Sequence, residues 1–445
     1  MWRLSVFTYP IPKGLDMPTD TSAEISVFKR RESKARSYCR NFDTVFAHAQ
    51  GSELIDTSGN TYIDFLSGCS SLNYGHNDTD MKLALIEHIT SDGLAHALDL
   101  HTDAKAEFLE VFERNILKPR GMDHKVMFTG PTGANAIEAA LKLARKVTGR
   151  DNVIAFTNGF HGVTLGALAA TGNSYHRSGA GTTLNGVTRM PYDGFFPGDH
   201  DAADFLDAML KDRSSGIDAP AAILLETVQG EGGLNAARPK FVKRVAELAK
   251  EHGALLIIDD IQAGCGRTGG FFSFEEMGIV PDIVTLAKSV SGFGLPMALM
   301  LVRPEHDVFG PAEHNGTFRG NTHAFVTARV AIEKFWSDAM FQKEINAKAL
   351  VLTSALTEVA ERVPGATLKG RGMMQGVDVQ SGELAAEICR RAFEEGLIIE
   401  TSGSDDQVVK VLAPLTTPDE TFRKGLSILI DASRNVMETY KMAAE

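Results

Sequence analysis

The chain has 445 residues, 43% of them hydrophobic, which is enough for one large domain together with a smaller one. Its formal net charge of −12 gives no basic surface for nucleic acid or anionic lipid, so we expect neither partner. No apolar run is long enough to span a membrane, and the 4 cysteines lack metal-ligand spacing. The cysteines are therefore expected to be free thiols of a cytoplasmic protein without a metal site.

Composition and pattern divide the chain into four parts. Residues 1–24 are predicted to form a flexible extension, because prolines interrupt an apolar start that is too short for a signal peptide. Residues 76–323 are expected to form the large domain. Residues 25–75 and 324–445 are expected to form the smaller one together.

Short aliphatic runs alternate with helical patterns through the large domain. The runs are KVMFT (125–129), VIAF (153–156), AAILLE (221–226), ALLIID (254–259), IVTLA (283–287) and ALMLV (298–302). Unbroken apolar strands that alternate with helices favour an α/β fold with a mostly parallel sheet covered on both faces. Ligands of such a sheet bind at the carboxyl ends of its strands. After about residue 324 helical patterns dominate, with a short strand pair predicted around 372–379 and 408–412.

The first candidate binding element is the turn GPTGAN that leads into a helix predicted to begin near Asn135. The start of a helix offers free N–H groups and a partial positive charge, and Gly130 and Gly133 would let an anion approach the backbone. A phosphate group fits such a turn. The alternative is an ordinary connection between a strand and a helix, and a dinucleotide site is excluded because GxGxxG is absent.

The second element is Lys288, which closes an apolar strand and precedes a glycine-rich loop. A lysine in a partly dry site loses its proton more easily and can attack a carbonyl group. Schiff-base chemistry is therefore possible at this position. The alternative is a surface lysine whose aliphatic stem covers apolar neighbours.

The third element is the pair Asp259 and Asp260 at the end of the run LLII. Two ionised carboxylates at the end of a buried strand are costly unless a cation faces them. The pair also resembles the magnesium-binding strand of P-loop NTPases. That reading requires GxxxxGK[ST], which occurs nowhere in the chain.

One small molecule requires all three elements in a single crevice. Pyridoxal 5′-phosphate has a phosphate to be anchored, an aldehyde that condenses with a lysine, and a ring nitrogen that an anion keeps protonated. We therefore expect this cofactor between the helix start, Lys288 and Asp259.

The same residues carry a family resemblance. The strings GFHGVTLGALAATGN (159–173), ETVQGEGG (226–233), LLIIDDIQAGCGRTG (255–269), TLAKSVSGFGLPMA (285–298) and NGTFRGN (315–321) resemble the class III aminotransferases, pyridoxal phosphate enzymes of fold type I. The resemblance covers about residues 25–430 in the right order. It implies a seven-stranded, mostly parallel sheet in the large domain and a smaller α+β domain.

The resemblance also implies roles for individual residues around the cofactor ring. Lys288 would bind the aldehyde and move a proton, Asp259 would pair with the ring nitrogen, and Gln262 would bond the ring hydroxyl. Beside them, His161 is expected next to the ring site, with a direct catalytic role as the alternative. Glu226 is expected to bond near the ring or to the Gln262 side chain.

Further implied contacts hold the ring faces and the phosphate. Ile261 and Phe160 would pack on opposite faces of the ring, and the backbone N–H groups of Gly133 and Ala134 would hold the phosphate. Thr317 would reach the phosphate of a neighbouring subunit. The resemblance therefore implies a homodimer, or a dimer of dimers, with shared active sites.

Within the family, the strings SVFKRRESKARSYCRNF (26–42) and FTGPTGANAIEAALKLARKVTGR (128–150) are most similar to the diaminobutyrate-forming aminotransferases of ectoine biosynthesis. The implied reaction moves the amino group of L-glutamate to L-aspartate 4-semialdehyde and yields L-2,4-diaminobutyrate and 2-oxoglutarate. Alternatives are an ornithine, acetylornithine or 4-aminobutyrate aminotransferase, or an aminomutase of the same fold.

One departure from the family pattern bears on substrate binding. Relatives that act on ornithine or 4-aminobutyrate usually have arginine where this chain has Lys410, and lysine offers a point charge in place of a two-pronged donor. We hypothesise that Lys410 binds the α-carboxylate of glutamate or 2-oxoglutarate. Glu231 would neutralise Lys410 when the other substrate is bound, with an ordinary surface ion pair as the alternative.

Overall fold

The computed structural model describes residues 27–198 and 200–444. The predicted extension of residues 1–24 lies outside the described residues. The strands, in chain order, are β1 (Phe46–Gln50), β2 (Glu53–Asp56), β3 (Thr61–Asp64), β4 (Lys125–Gly130), β5 (Val153–Phe156), β6 (Val187–Met190), β7 (Ala222–Leu225), β8 (Val228–Gln229), β9 (Asn235–Ala236), β10 (Leu255–Asp259), β11 (Ile283–Leu286), β12 (Ala298–Val302), β13 (Thr367–Arg371), β14 (Met374–Asp378), β15 (Leu397–Ile398), β16 (Glu400–Ser402) and β17 (Val408–Val411).

Helices fill most of the chain between these strands. From residue 79 onwards the α-helices are α1 (Thr79–Thr90), α2 (Asp103–Phe112), α3 (Gly133–Thr148), α4 (Leu165–Ala170), α5 (Ser174–Ser178), α6 (Ala202–Lys211), α7 (Pro239–Glu251), α8 (Thr322–Phe335), α9 (Met340–Arg362), α10 (Gly382–Glu394) and α11 (Asp419–Ala444).

The centre of the fold is a seven-stranded sheet in the order β4-β12-β11-β10-β7-β5-β6. Its strands are parallel except for β12, which runs antiparallel to both neighbours, β4 and β11. The predicted α/β fold with a mostly parallel sheet is confirmed.

Helices cover both faces of this sheet. Successive residues of β5 point to opposite faces, so Val153 packs in the same core as Leu141 of α3, whereas Ile154 packs in the core that contains Val245 of α7. This double coverage explains why the strands are aliphatic without alternation.

Each of the six aliphatic runs forms a strand, but no aliphatic run predicts β6. That strand has the sequence VTRM, lies at the edge of the sheet, and leaves three of its four residues partly exposed. Because only one neighbour and one face need apolar contacts at an edge, its composition carries little strand signal.

Two smaller four-stranded sheets lie outside the central sheet, and one of them joins early and late parts of the chain. One has the order β1-β2-β3-β15, in which Leu397 pairs with Ile63, and the other has the order β13-β14-β17-β16. The predicted strand pair corresponds to β14 and β17, which are antiparallel neighbours. The domain boundaries after residues 75 and 323 stay predictions.

Within the described part of the chain, none of the helices combines the length and the apolar character that a bilayer crossing needs. The cysteines at 39, 69, 265 and 389 are free thiols.

Candidate active site

The two carboxylates that follow β10's aliphatic run have different surroundings. Asp259 Oδ2 lies 2.7 Å from His161 Nδ1, and Asp259 Oδ1 accepts a hydrogen bond from Thr285 Oγ1 at 3.3 Å. Asp260 points elsewhere and accepts from the backbone N–H of Ser273 at 3.1 and 3.3 Å. Successive residues of a strand face opposite sides, so only one of the two acids can serve a given site.

His161 is the basic group that faces Asp259. Burial alone would lower the pKa of the imidazole, but the hydrogen bond and the negative charge of Asp259 outweigh burial and raise it. Both side chains are buried, so the pair is held away from water. The structure therefore places His161 against Asp259, as a group that fixes and neutralises this carboxylate.

Asp260 belongs to the interior of the protein. Burial raises the pKa of its carboxyl group to about 7, and the hydrogen bonds from Ser273 oppose this rise only in part. Asp260 thus fastens the loop around Ser273 to the end of β10 and stays outside the site.

Lys288 lies two residues after the end of β11 and begins a short 3₁₀ turn, Lys288–Ser291. Its backbone has φ = 53°, a left-handed conformation that is uncommon for a residue other than glycine. The neighbouring Ser289 holds the turn, because its Oγ donates to the carbonyl of Ser70 at 2.7 Å and accepts from the N–H of Asn73 at 2.9 Å. The lysine side chain is thereby aimed at the end of the sheet.

The predicted phosphate cradle is formed by the start of α3. The helix begins at Gly133, two residues before the predicted start, with Thr132 as its N-cap. Asn135, in the first turn, completes a capping box, because its Oδ1 accepts from the N–H and the hydroxyl of Thr132 at 3.2 and 2.9 Å. A Cβ atom at position 133 would lie 2.9 Å from Ile261 Cδ1, so the glycine allows Ile261 to pack here. The first N–H groups of the helix, at Gly133 and Ala134, have no partner within the helix.

A cavity of about 420 Å³ lies at the end of the sheet and collects most of the predicted site residues. Its lining includes Gly133, Ala134, Phe160, His161, Glu226, Glu231, Asp259, Ile261, Gln262 and Lys288. Two predicted residues do not line it. Lys410 lies behind Glu231 with no exposed surface, and Thr317 is exposed to solvent outside the cavity.

Glu226 bonds to two backbone N–H groups, one of which belongs to Phe160, a residue predicted to pack against the ring. Its Oε2 accepts from the backbone N–H of Phe160 at 2.9 Å, and its Oε1 accepts from the N–H of Gly230 at 3.1 Å. The expected bond to the side chain of Gln262 is absent among the described contacts. Burial raises the pKa of Glu226 to about 7, against the positive charge of His161.

Gln262 turns its amide towards the other end of the cavity. Its Nε2 donates to Glu231 Oε1 at 3.0 Å and lies 3.4 Å from the carbonyl oxygen of Cys69. Its Oε1 is buried and has no hydrogen-bond partner among the described residues. The predicted bond to a ring hydroxyl therefore stays a prediction.

Lys410 joins two carboxylates, of which the sequence predicted one. Lys410 Nζ lies 3.1 Å from Glu231 Oε1 and 2.8 Å from Glu400 Oε1. The lysine side chain is fully buried, whereas 30% of the Glu231 side chain is exposed. The alternative of an ordinary surface pair is therefore wrong.

Burial and the charge of Lys410 determine the pKa values of Glu231 and Glu400. Burial would raise the pKa of Glu231, but the charges of Lys410 and Lys288 lower it to about 2. Burial also raises the pKa of Glu400, and there Lys410 does not fully compensate. The two carboxylates together keep the pKa of Lys410 above its ordinary value despite its burial.

Three more residues complete this region, and sequence reasoning missed their proximity. Glu400 lies 3.6 Å from the thiol of Cys69, which is 3.0 Å from the hydroxyl of Tyr38. We refer to Lys410, Glu231, Glu400, Cys69 and Tyr38 as the lysine cluster. A signal existed only for Glu400, an acid directly after the aliphatic residues LII at 397–399.

Comparison with known proteins decides the family. Residues 35–432 match the family described as Aminotransferase class-III. The chain belongs to the class III aminotransferases.

The relatives of this class III aminotransferase match it over nearly their whole length. The diaminobutyrate–2-oxoglutarate transaminase of Vibrio cholerae is 54% identical over 407 residues, which cover 91% of this chain and 98% of that protein. The protein of the same name from Halalkalibacterium halodurans is 51% identical, with 96% and 100% covered. A solved ornithine aminotransferase from Toxoplasma gondii has a TM-score of 0.82 at 26% identity, with 96% of this chain and 97% of that chain covered.

The cavity of the aminotransferase fits pyridoxal phosphate in three independent respects. A buried carboxylate, Asp259, ends a strand and lies 2.7 Å from a histidine. A capped helix start with a glycine packed against Ile261 leaves room and N–H donors for an anion. Lys288 supplies the amine within the same lining. The acid, the anion cradle and the amine thus meet in one cavity, as the chemistry of the cofactor requires.

Proposed function

We propose that this enzyme transfers the amino group of L-glutamate to L-aspartate 4-semialdehyde and so forms L-2,4-diaminobutyrate and 2-oxoglutarate. The observation that carries the proposal is the 51 to 54% identity, over more than nine-tenths of the chain, to proteins named diaminobutyrate–2-oxoglutarate transaminase. Glu231 lines the far end of the cavity and contacts Lys410, which in turn contacts the buried Glu400. This group of charges supports a substrate with a charged head group.

The cofactor is pyridoxal 5′-phosphate. When bound, it supplies an aldehyde that takes up the amino group and a cationic ring that stabilises negative charge on the substrate carbon. The N–H groups of Gly133 and Ala134 would hold its phosphate, and Ile261 and Phe160 would pack against its ring. Gln262 would bond the ring hydroxyl.

The chain's own groups would divide the proton chemistry between them. Lys288 Nζ takes the proton from the substrate carbon that carries the reacting amine. Asp259 keeps the ring nitrogen protonated, and its hydrogen bond to His161 Nδ1 fixes the carboxylate in one orientation. Glu226, held by two backbone N–H groups, positions Phe160 through the bond to its amide.

Lys410 would bind the α-carboxylate of glutamate or 2-oxoglutarate, and Glu231 would alternate with that carboxylate. The exposure of the two side chains supports this proposal. Lys410 is fully buried and does not line the cavity, whereas its partner Glu231 lines the cavity and is 30% exposed. Rotation of Glu231 away from Lys410 would open the cation to the substrate. When the semialdehyde or diaminobutyrate occupies the site, Glu231 would return to Lys410.

We also propose a homodimer, which could pair further into a dimer of dimers, in the cytoplasm. Thr317, expected to reach a partner's phosphate, lies beside His96, whose Nε2 is 2.7 Å from the carbonyl of Thr317. Large apolar side chains are exposed in the same region, among them Leu98 and Phe318. A partner subunit would cover this apolar surface.

The test is a comparison of amino donors in the direction that forms glutamate. The purified holoenzyme is given 2-oxoglutarate with L-2,4-diaminobutyrate, L-ornithine, N-acetylornithine or 4-aminobutyrate, and glutamate release is measured. We expect kcat/KM for diaminobutyrate to exceed every other value by about ten-fold or more. A higher value for another donor would replace the proposed substrate, and conversion of a donor without 2-oxoglutarate would indicate an aminomutase.

A further inference from the structure

The lysine cluster contains more negative than positive charge. Lys410 is its cation, and both Glu231 and Glu400 contact the same Nζ at 3.1 and 2.8 Å. One carboxylate would be enough to neutralise one buried ammonium group. A second buried carboxylate is costly unless a further cation compensates it.

Glu400 is the carboxylate that lacks compensation. Its residue is 95% buried, with 5% of its surface exposed, and its Oε1 contacts Lys410. Its Oε2 has only a thiol as a described partner, Cys69 Sγ at 3.7 Å, which is a weak donor. Burial and the negative charge of Glu231 raise the pKa of Glu400, in keeping with a missing positive charge.

Neighbouring groups add acceptors to this corner and few donors. Glu231 uses Oε1 for both of its described bonds, to Gln262 Nε2 and to Lys410 Nζ, and it lines the cavity. Gln262, 93% buried with 7% exposed, has an Oε1 atom without a hydrogen-bond partner among the described residues. Buried acceptors without donors favour a ligand that brings several N–H groups.

The backbone that forms this corner is strained. Ser67, Gly68, Cys69 and Ser70 have φ values of 48°, 53°, 55° and 68°, four successive residues in the left-handed region. Left-handed backbone is unfavourable for residues other than glycine and is retained where the surrounding structure enforces it. Here it turns the thiol of Cys69 towards Glu400 and its carbonyl oxygen towards Gln262.

We propose that Glu400, together with Glu231, binds the second ammonium group of a diamine substrate. On the proposed function this group is the α-ammonium of L-2,4-diaminobutyrate, whose 4-amino group reacts beside Lys288. Because Glu231 pairs with Lys410 when diaminobutyrate is bound, Glu400 supplies the surplus negative charge for the ammonium group. Glu400 therefore determines the preference for diamines over monoamines.

Two substrates that differ only in this group allow a direct test. L-2,4-diaminobutyrate and 4-aminobutyrate share the reacting amine, the chain length and the carboxylate, and only the former carries an α-ammonium. The half-reaction of each amine with the holoenzyme is followed by stopped-flow absorbance, which gives an apparent Kd and a limiting rate. Glu400→Gln is compared with Glu395→Gln, the same change at an exposed residue of the same region.

In the wild-type enzyme we expect the ratio of limiting rate to Kd to be higher for diaminobutyrate than for 4-aminobutyrate. Glu400→Gln should reduce the preference over 4-aminobutyrate by about 30-fold, because a hydrogen-bonded charge pair is lost. The change should lie in the Kd for diaminobutyrate rather than in its limiting rate. Glu395→Gln should leave both values unchanged.

The outcomes separate this inference from the proposed function. If the wild-type enzyme reacts with diaminobutyrate and the preference survives in Glu400→Gln, the role of Glu400 is refuted. If the wild-type enzyme does not react with diaminobutyrate, the proposed function is refuted, and this inference is refuted with it. Should Glu400→Gln not fold, Glu231→Gln decides the question, because its side chain is partly exposed and must also weaken the preference.

Discussion

A group of charged side chains lies at each end of the cavity. The two groups contain the same kinds of residue but differ in how they can respond to a ligand or to pH. At one end, which we call the ring end, the carboxylates Asp259 and Glu226 share the base His161. At the other end, Glu231 and Glu400 share Lys410. Each end therefore contains two buried or partly buried carboxylates and one basic side chain.

The two ends differ in which change their side chains can undergo, a change of protonation or a movement. At the ring end Glu226 is fixed by two backbone N–H groups, and its pKa, raised by burial to about 7, allows it to gain or lose a proton near neutral pH. In the lysine cluster the base keeps its proton, and Glu231 has the exposed surface that movement requires. One end can adapt by protonation, and the other can adapt by rotation of a side chain.

The largest expected effect comes from the group between the two ends. Lys288→Ala should lower transamination by about 10³-fold or more, because the only amine of the described cavity lining is removed. The thermal midpoint should change little, since both charge clusters stay intact. Rates with L-2,4-diaminobutyrate and 2-oxoglutarate are measured beside Lys250→Ala, an exposed lysine of α7. Retained activity in Lys288→Ala would overturn the assignment of the amine.

The second prediction removes the base at each end in turn. Lys410→Met should destabilise the protein by about 3–5 kcal/mol, because two carboxylates lose their buried cation. His161→Gln should cost less, about 1–3 kcal/mol, because Glu226 can retain a proton. Urea unfolding at pH 7 gives both values. The double variant Lys410→Met with Glu400→Gln should recover part of the loss, and equal costs at the two ends would contradict the proposed difference.

The third prediction uses the opposite pKa shifts of Glu226 and Glu231. The pKa of Glu226 is raised to about 7, so its contribution to stability is present below the unfolded value of 4.5 and is lost as the pH rises towards 7. The pKa of Glu231 is lowered to about 2, so its contribution is present above 4.5 and is lost as the pH falls towards 2.

Thermal midpoints measured from pH 3 to pH 8 separate the two carboxylates. Relative to wild type, Glu226→Gln should gain stability as the pH rises from 4.5 to 7. Glu231→Gln should lose its disadvantage as the pH falls below 4.5. Parallel curves for the two variants would show that the ends respond alike.

The sequence predicted one end of the site far better than the other. Asp259, Lys288 and the start of α3 follow aliphatic strands directly, so chain position alone places them at the edge of one sheet. The lysine cluster was predicted only in part: the resemblance suggested the pair of Lys410 and Glu231, and Glu400 follows an aliphatic run. The five residues come from separate segments that meet only through tertiary packing, so the sequence did not indicate that they form one cluster.

The same reasoning explains the smaller errors. The edge strand β6 lacks an apolar pattern, since only part of it is buried. For Glu226, a position after a strand predicted the neighbourhood correctly, but the loop conformation selected its partners, which are backbone N–H groups and not Gln262. A local sequence pattern predicts the helix or strand to which a residue belongs. Hydrogen-bond partners that lie across loops become known only from the folded structure.

The smallest expected effect provides a reference without charge. Asn135→Ala removes the side chain that accepts from Thr132 at the start of α3 and should cost about 1 kcal/mol. Because a neutral amide is lost, the cost should be the same at pH 5 and pH 8, in contrast to the glutamate variants. Urea unfolding at both values measures it. Since α3 is also proposed to offer its first N–H groups to the phosphate, Asn135→Ala should retain the cofactor less well than wild type. A variant that loses stability but retains the cofactor like wild type would show that the side chain of Asn135 does not support phosphate binding.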